Sequence, residues 1–464
     1  MIYLAGFQIL PIVCLPWQDA ARPVVRGSQS ASREPAVKRP TPVPRPAASV
    51  AEHPGSGPPA PRRTTAALTA ETLLGSLGLF SVIPVLGLLL AARSPGSGTA
   101  VVGIGLFCYT ASAGLSATLA GRLLARLDYA HGMAGALLTS AVAFGLLPYA
   151  GADWALCGLV ILAGFGVSTH FLLSRVLIAE VISDDIGRNR VFSLLQISVN
   201  AAAALGPFVA NLLYASTDPR PLMAVVSLCY AAAAVTLLPG VPRGRKPPPT
   251  SGGWPVGRQV LLRVARTPDM ARMVAVSFLG TFVYAQFYSA FVLYVGEEFT
   301  SAALRSALVA GPAVAIVLLQ TAVTAVTARF LRSGATPLVL LGGANLLFGV
   351  SLVVLGLGLP AVLGAVLAVA VFAVAEMVFG PMVSTAFAGL PIGSSLEAFN
   401  LRQLCWTAGE ALGALTGGSL FLALYAAGDG SAYWSTLGVV TLLATGLLLA
   451  ADRRAGRTRP RPAA

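Results

Sequence analysis

The sequence predicts an all-α membrane protein of twelve transmembrane helices, arranged as two six-helix bundles related by a parallel repeat. Three observations support this fold: long apolar segments recur along the chain, basic residues cluster in alternate connections, and the second half repeats part of the first. Of the 464 residues, 56% are hydrophobic and 11% are charged, whereas a soluble protein has about 25% charged residues. This composition excludes an ordinary soluble enzyme, a disordered protein and a nucleic-acid-binding domain.

Twelve segments are long and apolar enough to cross a bilayer, which takes about 20 residues in a helix. Their many glycines and alanines are typical of closely packed membrane helices. We number the segments as spans 1 to 12 and place them at residues 68–92, 100–120, 132–150, 154–180, 191–214, 221–239, 272–296, 306–327, 337–358, 361–388, 397–425 and 431–451.

The positions of the basic residues test this number of spans, because cytoplasmic segments of membrane proteins carry an excess of Lys and Arg. With both termini in the cytoplasm, 26 of the 31 basic residues lie in cytoplasmic segments, three lie outside and two lie within spans. An odd number of spans would break this alternation. The charges therefore favour twelve spans in the plasma or inner membrane, with both termini cytoplasmic.

The spans divide the chain into two bundles with segments before, between and after them. The first segment, rich in Pro and Arg, is predicted to be a disordered cytoplasmic tail, and whether residues 1–63 belong to the native protein stays open. Within the connection between the bundles, residues 257–270 are predicted to form a short basic helix on the membrane surface. The predicted parts are the tail 1–65, the first bundle 66–240, the cytoplasmic linker 241–270, the second bundle 271–452 and the basic cytoplasmic tail 453–464.

Part of the first bundle recurs in the second when the sequence is shifted by 207 residues. Residues 192–196 (FSLLQ) then align with residues 399–403 (FNLRQ), and residues 204–206 align with 411–413, where both segments read ALG. The shift carries span 4 onto span 10 and span 5 onto span 11. The repeat therefore predicts six plus six helices related by an axis along the membrane normal.

Over about residues 66–452 these features resemble the major facilitator superfamily. Residues 179–207 are similar to its junction between helices 4 and 5, and residues 375–418 are similar to its helices 10 and 11. Ala375-Glu376 in span 10 and Gln286 in span 7 resemble the twelve-helix bacterial drug:proton antiporters. The resemblance implies two bundles that rock about a central site and export a small amphipathic, drug-like molecule in exchange for protons.

The same resemblance implies residues that act in the conformational change. Gly121 and Arg126 fit the superfamily's loop between helices 2 and 3, and Gly206 and Pro207 fit a motif of its helix 5. The positions that depart from the loop pattern are Ala125 and Asp128. Three basic residues near the cytoplasmic ends of spans 4 and 5 are further candidates for a gate: Arg175, Arg188 and Arg190. For Arg188 and Arg190 the alternative is an ordinary solvated turn.

Three titratable residues are candidates for proton coupling. A charged side chain at mid-membrane costs about 2.5–3.5 kcal/mol, so Glu376 in span 10 and Glu410 in span 11 need a reason to be there. The repeat and the resemblance together place His170 of span 4 across the central cavity from Glu376. For each of these three residues the alternative to proton coupling is a structural role, as a side chain hydrogen-bonded to a neighbouring helix. Glu71, at the start of span 1, is expected to lie at the membrane interface.

Aromatic and polar residues in the spans predict a cavity for an amphipathic molecule, because such pockets combine apolar walls with few polar anchors. Tyr284 and Tyr288 are four residues apart and therefore share a helix face. Packing against lipid or neighbouring helices is the alternative for the aromatic residues of span 7. The candidate cavity residues are Asn200, Tyr284, Gln286, Tyr288, Gln320 and Asn345.

Motifs of enzymes, metal sites and nucleotide sites are absent from the sequence: the five cysteines are scattered and no Walker motif occurs. We therefore expect no enzymatic activity, no metal and no cofactor, with the proton gradient as the energy source. The expected partners are the lipid bilayer, protons and a small-molecule substrate, without nucleic acid, and the protein is expected to be a monomer. Two alternatives remain open, a proton symporter or facilitator that imports a metabolite or sugar, and a non-transporting membrane sensor or scaffold.

Overall fold

The computed structural model describes residues 62–93, 104–109, 112, 127–214, 218–247 and 258–458. All regular structure in these residues is helical. Eleven helices among them are long and apolar enough to cross a membrane. Residues 104–109 and 112, within predicted span 2, are also helical, and most of that span lies outside the described residues. The predicted all-helical membrane fold is therefore confirmed.

The helices of the first half follow the predicted spans closely. They are span 1 at Arg62–Arg93, span 3 at Tyr129–Leu146 with a 3-10 turn at Leu147–Tyr149, span 4 at Asp153–Val181, span 5 at Asp185–Tyr214 and span 6 at Arg220–Leu237. Span 1 begins inside the segment that was predicted as a disordered tail. Its first turn is fixed because the Thr64 hydroxyl donates a hydrogen bond of 2.8 Å to the Gly240 carbonyl at the end of span 6.

In the second half, two spans contain a π-helical turn. Span 7 consists of Pro268–Gln286, the π turn Phe287–Phe291 and Val292–Glu298, and span 11 consists of Ser395–Leu415, the π turn Thr416–Leu420 and Phe421–Ala426. The other helices are a linker helix at Arg258–Arg266, span 8 at Ala302–Arg332, span 9 at Pro337–Gly356, span 10 at Ala361–Ala388 and span 12 at Gly430–Thr458. Local sequence explains several helix starts. Ser301 caps span 8, Thr336 caps span 9 ahead of Pro337, and Ser394 forms a capping box with Glu397 at span 11.

The two halves pack their helices in the same arrangement. In the first half, span 5 packs against span 1, and span 3 packs against spans 4 and 6. In the second half, span 11 packs against span 7, and span 9 packs against spans 10 and 12. Each pair in one half therefore has its counterpart six spans away, as the sequence repeat predicts.

Close packing of spans 7 and 11 depends on glycines spaced four residues apart. A Cβ atom added at Gly413 would lie 2.5 Å from the Phe282 carbonyl oxygen of span 7. Gly206 is the counterpart of Gly413 in the repeat, and a Cβ atom there would lie 2.5 Å from the Phe80 carbonyl carbon of span 1. The glycines of span 11 that face span 7 in this way are Gly409, Gly413 and Gly417.

Gly413→Val is expected to destabilise the second half, because the new side chain overlaps the backbone of span 7 and must push the helices apart. Overpacking of this kind costs about 1–3 kcal/mol, which a thermal melt of the purified protein in detergent would show as a lower melting temperature. Gly418→Val is the matched control, because a Cβ atom there meets no atom within 4 Å. Equal melting temperatures for the two variants would contradict the close approach of spans 7 and 11.

Asp128, one of the positions that departs from the superfamily's loop pattern, caps span 3 and ties it to the linker. Its carboxylate accepts hydrogen bonds from the backbone N–H groups of His131 at 2.8 Å and Gly244 at 2.9 Å. Partial burial raises the pKa of Asp128, but these hydrogen bonds have the larger combined effect and hold the pKa below its usual range. This residue therefore fixes the start of span 3 against the chain that follows span 6.

The linker helix packs against the second half through Val260 and Val264, which are buried in that half's apolar core. Its Arg263 also donates a hydrogen bond to the Ile392 carbonyl between spans 10 and 11. The basic segment is therefore helical, with Val260 and Val264 covered by protein and Leu261 and Leu262 exposed.

Candidate functional site

A cavity of about 800 Å³ lies between the two halves. Spans 1, 4 and 5 and Tyr109 of span 2 line it from the first half, and spans 7, 8, 10 and 11 line it from the second. This volume is in the range of small-molecule sites, and most of the wall is apolar. The charged side chains that line it, among the described residues, are Arg175, Glu376, Arg402 and Glu410.

One end of the cavity is closed by contacts between the halves. The Asn189 amide of span 5 donates a hydrogen bond of 3.0 Å to the Thr327 hydroxyl of span 8. The Ser395 hydroxyl at the start of span 11 donates to the carboxylate of Glu180 at the end of span 4. With the predicted orientation of the termini, this closed end is cytoplasmic. The cavity lining continues toward the other end, along residues 207–211 of span 5 and 306–314 of span 8.

Asn189→Leu is expected to weaken the closed end, because the variant loses a buried hydrogen bond worth about 1 kcal/mol, or about a fivefold change in a two-state equilibrium. Spin labels on cysteines introduced at the exposed positions Ser183 and Ser333, which lie beside this end on opposite halves, would report a larger population of long distances. Asn211→Leu, at the other end of span 5, is the control. An unchanged distance distribution in Asn189→Leu would show that this contact does not hold the halves together.

Glu376 of span 10 lies in the cavity wall beside two tyrosines. Its side chain is 3% exposed, and Tyr284 and Tyr288 of span 7 lie close to its carboxyl group. The rings of these tyrosines are 5.0 Å apart on one face of the helix. The Oε2 atom of Glu376 has no hydrogen-bond partner among the described residues. A buried carboxyl group with a free oxygen beside a cavity can bind a proton or a donor group of a solute.

Two arginines face the cavity from opposite halves. Arg402 of span 11 is 6% exposed, and its guanidinium carbon lies 5.0 Å from the ring centroid of Trp406. Arg175 of span 4 stacks on Phe171 at 5.7 Å. Glu410, also in the cavity wall, lies near Trp406. Arg402 was not among the predicted site residues, although an arginine inside a span is by itself a signal of function.

His170 does not face Glu376, and the predicted placement of this pair across the cavity is wrong. The cavity-lining residues of span 4 include Phe171, and His170 is turned about 100° from it around the helix. The His170 side chain points into the first half, where its Nε2 atom lies 3.1 Å from Oε1 of Glu71. Both side chains are 0% exposed. Glu71 is therefore in the protein interior and not at the membrane interface, because span 1 begins nine residues earlier.

Gln286 lies two residues from each tyrosine and therefore on the opposite face of span 7, away from the cavity. Its amide donates hydrogen bonds to the Gly413 carbonyl at 3.0 Å and the Thr416 hydroxyl at 3.1 Å. Its Oε1 atom accepts a hydrogen bond of 2.6 Å from the Tyr433 hydroxyl of span 12. Gln286 therefore joins spans 7, 11 and 12 at the level of the two π turns.

The other predicted polar residues divide between the cavity and the helix contacts. Asn200 lines the cavity. Gln320 of span 8 donates to the Met377 carbonyl of span 10 at 2.9 Å. Asn345 of span 9 donates to the Val276 carbonyl of span 7 at 2.8 Å. Gln320 and Asn345 are therefore fixed between helices and lie outside the cavity lining.

The predicted gate residues have different positions. Gly121 and Arg126 lie outside the described residues. Arg188 caps the end of span 4, where its Nε atom donates to the Ile182 carbonyl at 2.7 Å, and Arg190 is exposed. Pro207 lines the cavity, beside the glycine that packs on span 1. Among the described residues, no group of three or more His, Cys, Asp or Glu is placed to hold a metal ion.

Comparisons with known proteins agree with this architecture. The family described as Major Facilitator Superfamily matches residues 72–394. No curated protein matches the chain. The structure is similar to the human organic anion transporter MFSD10 (TETRAN), with a TM-score of 0.62, 18% identity, and 83% of this chain and 99% of that chain covered.

Peptide transporters have a similar fold. A POT family transporter bound to a thioalcohol-conjugated peptide has a TM-score of 0.59 and 14% identity, with 84% of this chain and 96% of that chain covered. The peptide transporter POT in complex with sulfate has a TM-score of 0.58 and 14% identity, with 85% of this chain and 95% of that chain covered. At these identities the likeness concerns the fold.

Proposed function

The chain belongs to the major facilitator superfamily, and from that membership we propose that it is a proton-coupled transporter of a small amphipathic molecule that works by alternating access. The observation that carries the proposal is the position of Glu376, which lies in the cavity wall between two halves that close at one end. A carboxyl group in this place can contact a solute in the cavity and can exchange protons with either side of the membrane as the halves open and close. The proposed location is the cell membrane, with both termini in the cytoplasm.

Export in exchange for protons is the first candidate direction, because the spans resemble those of drug:proton antiporters. One proton that crosses a potential of about 150 mV releases about 3.5 kcal/mol, which sustains a solute concentration ratio of a few hundred, or roughly 10² to 10³. The apolar wall with few charges suits an amphipathic solute better than a sugar, which needs many polar partners.

Uptake together with protons is the second candidate, and the cavity charges favour it for an anionic solute. When Glu376 and Glu410 are protonated, Arg175 and Arg402 are the remaining charged side chains in the described cavity wall. Protons and an anion would then strengthen each other's binding, since two ligands that favour the same state are reciprocally coupled.

The test is solute-dependent proton movement in proteoliposomes that contain the purified full chain. A pH gradient is imposed, a panel of amphipathic cations, anions and neutral compounds is added, and internal pH and solute are followed together. Proton flux opposite to the solute establishes export by exchange, and flux in the same direction establishes uptake. The absence of solute-dependent proton flux with every compound would contradict the proposal.

A further inference from the structure

The two arginines of the cavity form no ion pair in the described residues, although the carboxyl group of Glu410 is close enough to Arg402 to interact with it electrostatically. In the described residues, neither guanidinium group has a carboxylate oxygen within 4.0 Å, although ion pairs of that length occur elsewhere in the chain. Arg402 is 6% exposed, and its Nε atom has no hydrogen-bond partner. The internal segments outside the described residues contain no Asp or Glu. These segments therefore offer no carboxylate to complete the site.

The arginines also lie close enough to repel each other across the cavity. Arg175 belongs to span 4 of the first half, and Arg402 belongs to span 11 of the second. Each guanidinium group rests on an aromatic ring of its own helix, Phe171 or Trp406. Stacking satisfies the face of a guanidinium group and leaves its N–H donors available at the edge. Two sets of charged donors thus face the space between the halves.

We propose that Arg175 and Arg402 bind the anionic group of the transported solute, a carboxylate, sulfonate or phosphonate, between the two halves of the protein. The anion accepts hydrogen bonds from both guanidinium groups, which suits their planar donor edges. Its apolar part lies against the aromatic wall formed by Tyr284, Phe379 and Trp406. This inference rests on the proposed function in one respect, since it takes the cavity to be the solute site.

A bound anion also removes an obstacle to closure. When the halves approach, the two positive charges approach as well, and their repulsion grows as water leaves the cavity. An anion between them replaces this repulsion with two charge-assisted hydrogen bonds. Closure of the cavity is therefore favoured with solute bound, and disfavoured when neither a solute nor an ionised Glu376 or Glu410 offsets the two positive charges.

The experiment measures binding of naphthalene-2-sulfonate to the full chain in lipid nanodiscs, from the rise in melting temperature with ligand concentration. Naphthalene-2-carboxamide, with the same rings and no charge, is the comparison ligand. We expect the sulfonate to bind at least about tenfold more tightly than the carboxamide, and Arg175→Gln or Arg402→Gln to remove most of this preference. Arg305→Gln, near the cavity residue Ser306, is the control for general electrostatic attraction and should keep the preference.

Two further measurements separate binding from folding. Arg402→Leu is expected to melt at a higher temperature than the wild type without ligand, because a buried charge without a partner is removed. Spin labels at Leu212 of span 5 and Ala303 of span 8, beside the cavity lining at its open end, should show shorter distances when the sulfonate is added. The shortening should be absent in Arg402→Gln.

Equal affinity for the sulfonate and the carboxamide, or a full preference retained in both Arg→Gln variants, would overturn the inference. If Arg402→Gln fails to fold, Arg402→Lys is used, which keeps the charge but loses the planar donor edge and should also weaken sulfonate binding. Failure of the inference is distinct from failure of the proposed function. Solute-dependent proton flux with cations alone would support coupled transport and exclude the anion site.

Discussion

Glu376→Gln is expected to abolish proton-driven transport while leaving the fold and the cavity in place. The amide has nearly the same shape as the carboxyl group, still donates and accepts hydrogen bonds near Tyr284 and Tyr288, and cannot take up or release a proton. In proteoliposomes with a pH gradient, solute accumulation and solute-dependent proton flux should both fall to the level of empty liposomes. Exchange of labelled for unlabelled solute at equal pH should persist, because that reaction moves no net proton.

Two variants provide the controls for this result. Glu410→Gln changes the other carboxyl group of the cavity and tests whether one acid or two carry the coupling. Glu376→Asp keeps an acid at the position and should retain part of the proton flux. Full proton-driven accumulation in Glu376→Gln would remove this residue from the coupling path, whereas loss of exchange as well as coupling would assign it to solute binding.

His170→Leu is expected to destabilise the first half by about 1–3 kcal/mol, the usual cost of leaving a buried polar group without its partner. The variant leaves the Glu71 carboxyl group at 0% exposure without the imidazole that lies 3.1 Å away. The hydroxyl of Thr72, 3.2 Å from Oε2 of Glu71, is then its remaining side-chain partner in the described residues. Thermal unfolding in detergent should show a clearly lower melting temperature.

A double-mutant cycle separates the interaction of this pair from simple loss of packing. Glu71→Leu alone should also destabilise the protein, because His170 loses its carboxyl partner. The double variant Glu71→Leu with His170→Leu should recover much of the loss, because it replaces both polar groups with apolar ones in a buried site. Strictly additive effects of the two substitutions would contradict an energetic coupling between these residues.

The sequence predicted the membrane spans well because the lipid bilayer imposes a simple requirement, about 20 apolar residues in each helix. The repeat predicted the pairing of helices, since residues 192–196 and 399–403 occupy matching places at the closed end of the cavity. There Phe192 and Phe399 meet across the halves, with ring centroids 6.2 Å apart. Length and repeat are properties of a linear sequence, so they can be read without knowing how each helix is rotated.

Rotation about the helix axis is what the sequence did not supply. Membrane helices that are apolar on all sides give no clear amphipathic pattern, so the face of His170 could not be assigned. Spacing alone placed Tyr284 and Tyr288 on one face and would have placed Gln286 on the opposite one. The pair of Glu71 and His170 could not be predicted for another reason. The start of span 1 was placed at residue 68, which put Glu71 at the membrane interface, whereas the helix begins at Arg62.

The π turns of spans 7 and 11 make the two halves of the protein unequal. A π turn holds one residue more than an α-helical turn, so every side chain beyond it is rotated by about 100° relative to an unbroken helix. Span 5, the counterpart of span 11, has no such turn in its described residues. With the predicted orientation, both π turns lie in the outer parts of their spans, where Gln286 joins them. A one-residue migration of either turn would rotate a section of helix wall at the outer mouth without unfolding the helix. The second half therefore has an internal adjustment that the described helices of the first half lack.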